Sequence, residues 1–71
     1  MKYQYKISYV DNKKQLVQNL FSYNKMLSIK EYINLLTNMD LDISDLKIYK
    51  INVNTNKSRE TTQEINKFLY K

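Results

Sequence analysis

Asp40, Asp42 and Asp45 are the residues whose spacing comes closest to a reactive constellation, because carboxylates spread along one loop are how proteins hold hard cations. Their surroundings argue otherwise. A calcium loop needs a tight-turn glycine and a distal glutamate at fixed offsets, and this chain has no glycine. Leu41 and Ile43 alternate with the aspartates and read as anchors that tuck the loop onto a core. The segment is therefore expected to be a solvated acidic loop, with a basic patch on a partner as its other use. Nucleophilic chemistry fares no better. There is no cysteine, and no histidine to activate a serine or threonine. The usual acid–base inventory is nearly empty, so neither enzyme activity, nor a metal, nor a cofactor is expected.

Two other residue types are abundant enough to act. Lysine and arginine outnumber aspartate and glutamate by 12 to 7, for a net charge of +5. Lys2 and Lys6 with Lys47 and Lys50 would form a stripe on an open sheet face, able to meet phosphates by simple charge attraction. All the basic residues but Arg59 are lysine, which leaves little for bidentate phosphate or guanine contacts. Tyrosine is the second enrichment, at 7 residues. A chain this small can hardly bury them all and pair every hydroxyl, so some belong at the edge of the core, ring covered and oxygen wet. Tyrosine also offers large, stiff contact area at protein interfaces. Tyr3, Tyr5, Tyr23 and Tyr49 are the expected anchors for a partner.

The elements that must position these residues follow from periodicity. Lys2 to Val10 alternates, with Tyr3, Tyr5, Ile7 and Tyr9 on one side and Lys2, Gln4, Lys6 and Ser8 on the other, as in a half-buried strand. Asp11 to Lys14 is a polar break in which Asn12 is the expected left-handed turn residue. Gln15 to Tyr23 resumes as strand, with Val17, Phe21 and Tyr23 on one face and Leu16 and Leu20 on the other. Two partly apolar faces predict a central or doubly covered strand. Ser28 to Met39 has helical spacing in Ile29, Tyr32, Ile33, Leu36 and Met39, with Leu35 widening the stripe. Ser28 and Glu31 have capping-box spacing, and Leu27 and Tyr32 stand at staple positions. Asn38 or Asp40 can end that helix. Leu46 to Val53 reads as a third strand whose alternation slips near Ile48 and Tyr49, which suggests a bulge. In the last segment Thr61 and Glu64 also have capping-box spacing, and Ile65, Phe68 and Leu69 fit one helical face. A short second helix is expected, with a fourth strand from about Arg59 as the alternative. The chain is thus predicted to be a single α+β domain spanning 1–71, a small antiparallel sheet packed on one main helix, in the order β-β-α-β-α or alternatively β-β-α-β-β.

No run approaches the roughly 20 apolar residues of a membrane span. The alternating N-terminus does not resemble a signal peptide, so a mature chain beginning at Met1 and a cytoplasmic location are expected. The chain lacks glycine, proline and tryptophan and is rich in residues with AT-rich codons, which suggests an AT-rich genome.

In size, in its KYQYKISYVDNKKQLVQ hairpin, its SIKEYINLL helix and its DLKIYKINV strand, the whole chain resembles small accessory proteins of phages and mobile elements in low-GC Gram-positive bacteria. Anti-CRISPR proteins, replication inhibitors and uracil-DNA glycosylase inhibitors are similar in scale. The hairpin–helix–strand order is similar to that of phage glycosylase inhibitors, which are acidic where this chain is basic. The resemblance is one of style over the full length, and it carries over no functional residue. It implies a phage-encoded protein that binds and inhibits a host protein, such as a defence nuclease or another nucleic-acid enzyme. A small nucleic-acid-binding protein using the lysine-bearing face is the alternative, and a homodimer with a structural role is a third.

Overall fold

The computed structural model describes residues 2–69; Met1, expected as the start of the chain, lies outside them. Six elements follow in the order β1 (Tyr3–Asp11), β2 (Leu16–Ser22), α1 (Lys25–Thr37), β3 (Ile43–Asn52), β4 (Ser58–Glu60) and α2 (Thr62–Leu69). The α+β class holds. The order β-β-α-β-β-α contains both the fourth strand and the second helix, which had been alternatives for the last segment. A three-residue strand fits between the turn after Asn52 and Thr61, and the helical pattern of Ile65, Phe68 and Leu69 begins only after it.

The four strands form one antiparallel sheet in the order β2-β1-β3-β4. The long alternating strand β1 is central. It pairs with β2 from Tyr5↔Ser22 to Asp11↔Leu16 and with β3 from Tyr3↔Asn52 to Asp11↔Ile43. The expectation that β2 is central is corrected: β2 is an edge strand. Its apolar side chains point both ways, as its pattern indicated, but Leu16, Val17, Leu20 and Phe21 all remain exposed.

β3 starts earlier than expected, and its bulge lies earlier too. Ser8 pairs with Lys47 and Val10 with Ser44, so Tyr9 faces two residues, Asp45 and Leu46. Asp45 adopts φ 53°, the left-handed conformation that an aspartate tolerates in a chain without glycine. The extra residue turns both Ile43 and Leu46 toward the core, although they stand three apart.

α1 begins three residues before the predicted Ser28. Asn24 is the N-cap, and its side-chain oxygen accepts the amides of Met26 at 2.9 Å and Leu27 at 3.1 Å. Ser28 is instead buried in the helix, its hydroxyl donating to the Asn24 carbonyl at 2.9 Å. Asn38 ends the helix, its amide donating to the Asn34 carbonyl. Met39, predicted to extend the apolar stripe, lies past that end and is 98% exposed.

Both helices lie on one face of the sheet. Ile7, Ile29, Tyr32, Leu35, Ile48 and Ile65 form the core, with Tyr9, Ile33, Ile43, Leu46 and Leu69 around them. The Tyr32 hydroxyl donates to the side-chain oxygen of Asn66 at 2.9 Å and so joins α1 to α2. Thr61 and Thr62 fasten the start of α2 to β3. The Ile48 amide donates to the Thr62 hydroxyl at 3.0 Å, and the Ile48 carbonyl accepts the Thr61 amide at 2.8 Å and its hydroxyl at 3.1 Å.

Turns that would normally recruit glycine use other residues. Asn56 has φ 55° in the β3–β4 turn, where Asn52 accepts the amides of Asn54 and Thr55. In the β1–β2 turn the left-handed residue is Gln15, at φ 56°, rather than the predicted Asn12. The Asn12 amide donates to Asp42, and its side-chain nitrogen donates to the Asp42 carboxylate.

Two stability outcomes follow. Ile48→Ala should cost about 2–5 kcal/mol in urea denaturation, a large part of what so small a domain possesses. Gln15→Gly should raise stability by about 0.5–1 kcal/mol, since it relieves a left-handed strain that glutamine has no local hydrogen bond to offset.

Candidate partner-binding site

Strand pairing sorts the predicted site residues onto two surfaces. Tyr3, Tyr5 and Tyr23 gather with Lys2, Lys25 and Val53 around a depression where β1 begins and β2 ends. Lys50 belongs to this side as well. It pairs with Tyr5 across the strands, and its ammonium lies 4.1 Å from the centre of the Tyr3 ring. Lys50 is therefore not part of an open-face stripe with Lys6 and Lys47. Tyr5 is only 8% exposed and belongs to the interior between sheet and helices. Tyr23 lies beyond β2 and is mostly exposed.

Tyr49, Lys6 and Lys47 lie on the other face, which neither helix covers. Lys6 is flanked by Phe21 on β2 and Tyr49 on β3, and its ammonium stands 4.9 Å from the centre of the Tyr49 ring. The alternation places Val10, Val17 and Ile51 on this same face. The outer face of a one-layered antiparallel sheet is ordinarily polar. Here Phe21 is 58% and Val17 59% exposed, beside a half-buried Tyr49. The four tyrosine anchors thus do not form one patch. Phe21 and Val17 went unnoticed as site residues, although the alternation of β2 had put them on one face. What was missing was the register that sets Phe21 beside Lys6.

The acidic loop is tied to the hairpin turn. Besides the two Asn12–Asp42 bonds, Lys13 donates to the Asp40 carbonyl at 3.0 Å. Among the described residues no group of three carboxylate, histidine or cysteine side chains could hold a metal ion, and no helix is long and apolar enough to cross a membrane.

The chain matches no family model, no curated protein and no solved structure.

The division into interior and surface has a measurable consequence. Tyr5→Ala should destabilise by about 3 kcal/mol, as expected for loss of a core ring, whereas Phe21→Ser should cost under about 1 kcal/mol in thermal or urea unfolding.

Proposed function

We propose that this is a non-enzymatic binding protein that acts by occupying a surface on a larger protein, with the uncovered sheet face as its contact surface. The observation that carries this reading is the exposure of Phe21 and Val17 beside Tyr49, Ile51 and Val10 on a face no helix covers. Aromatic and aliphatic side chains held on strands lose little conformational freedom on docking, and desolvating them supplies affinity. Lys6 and Lys47 would set orientation and on-rate against an acidic rim.

Composition and scale support a finer version: a phage-encoded inhibitor of a host protein in the cytoplasm of a low-GC bacterium, its target a defence nuclease or another nucleic-acid enzyme. A second reading is favoured by the stacking of Lys6 on Tyr49 with Phe21 alongside. Exposed aromatics interleaved with lysine on a sheet can also stack the bases of single-stranded nucleic acid.

Capture from a low-GC host lysate, read by mass spectrometry, tests the first reading when the wild type is compared with a folded Phe21→Ser/Tyr49→Ala variant. A specific protein retained by the wild type and lost by the variant is the expected result. Retention by both would remove the open face from the interaction. A labelled oligonucleotide tests the second reading: that reading requires binding at about 50 mM salt that falls steeply as salt rises.

A further inference from the structure

On the helix side of the sheet, a cleft of about 310 Å³ opens between α1 and α2, with Tyr5 in its lining. That volume is at the lower end for small-molecule sites, and at ~30 Å³ per water-sized group it accommodates on the order of ten non-hydrogen atoms. Its walls are apolar: Met26 and Ile29 from α1, Ile65 and Phe68 from α2. Its polar groups are mostly of one sign. Lys25, Lys50 and Arg59 line it, against the single carboxylate of Glu64. Glu64 reaches Arg59 at 3.5 Å, but the two side chains are 62% and 65% exposed, so water screens the pair and it is readily exchanged. Lys25 has no ion-pair partner among the described residues.

Tyr5 adds a neutral donor. It is nearly buried, and its hydroxyl makes no hydrogen bond to the described residues. Since no buried side-chain oxygen lacks a partner, that hydroxyl reaches solvent, and Tyr5 lines this cleft as well as the depression beside Tyr3 and Tyr23. Helix stability does not account for the charges. The first turn of α1 carries Lys25 and no acid, the reverse of what the helix dipole favours.

We propose that this cleft binds a small amphipathic anion of about ten non-hydrogen atoms in all, an apolar body bearing one carboxylate or phosphate. The body rests on Ile29, Ile65, Met26 and Phe68. The head meets the ammonium groups of Lys25 and Lys50 and accepts the Tyr5 hydroxyl. The occupant is a free small molecule, because the cleft has room for little more than a single side chain of a macromolecule. The proposal is independent of the open face, which lies on the opposite side of the sheet.

Octanoate is a suitable probe, with 1-octanol as its neutral counterpart, followed by methyl-resolved NMR titration of the full chain. Saturable shifts are expected at the methyl groups of Ile29, Ile65 and Met26, with octanoate binding roughly tenfold tighter than octanol, the worth of one charge-assisted hydrogen bond. Lys25→Gln/Lys50→Gln should lower octanoate affinity by a similar factor and leave octanol binding unchanged. Tyr5→Phe, which keeps the buried ring, should weaken octanoate severalfold. Phe21→Ser should change neither ligand's binding, so failure of the open-face reading leaves this result intact. Equal binding of octanoate and octanol would overturn the proposal. So would shifts confined to Val10 and Val17, indifference to the lysine substitutions, or the absence of saturable binding.

Discussion

The structure depends on how one residue in the middle of β3 is satisfied on all sides. Ile48 is completely buried, and its amide and carbonyl both point away from β1 toward Thr61 and Thr62. β4 pairs with β3 only from Tyr49 to Ile51, so without those threonines the Ile48 backbone groups would be buried and unpaired. The same contacts start α2 and aim Ile65 at the core. In the Ile7↔Ile48 pair the backbone groups of Ile48 thus turn away from β1, an arrangement that brings the two side chains close together under the helices. Sheet pairing, helix initiation and core packing therefore meet at one backbone unit.

A consequence is that burial is one-sided. The chain is long enough for two helices, and the Thr61–Thr62 tie commits the second to the same face as the first. Tyr32 and Asn66 then lock the helices to each other. Among the described residues no element packs on the other face. Its Phe21, Val17 and Tyr49 lie outside the core that the helices close.

Much of this was legible in the residues. The alternation of β1 was plain, and its parity correctly separated Tyr5 and Ile7 from Lys6 and Ser8. Helix boundaries were less so. Ser28 and Glu31 have the spacing of a capping box, but Asn24 lies just after a strand, is free to adopt an extended conformation and takes the cap, leaving Ser28 to be buried. Gln15 in a left-handed turn was not foreseeable from propensity; Asn12, which propensity favours for that conformation, is instead bonded to Asp42, thirty residues away. The grouping of tyrosines and lysines failed for a similar reason. Residue type says nothing about face, and one step of register reverses it: Tyr49 and Lys50 are neighbours in sequence and lie on opposite sides of the sheet.

The bulge at Asp45 shows how far such a step reaches. Without it, Ile43 would share a face with Lys47 and lose its place beside the core. With it, the preceding acidic loop is drawn down onto the β1–β2 turn, where Asp42 engages Asn12, the Asp40 carbonyl holds Lys13, and Asp11 accepts the amides of Lys13 and Lys14. The aspartates are thereby gathered at one end of the sheet. Lys2, Lys25, Lys50, Lys57 and Arg59 are left around the other end, with Glu60 and Glu64 among them. β3, with 10 residues at about 3.3 Å each, makes the sheet several screening lengths long at physiological salt. Its two ends therefore act as separate local fields. An approaching partner meets a basic, tyrosine-lined end or an acidic one, and the net charge of the whole describes neither.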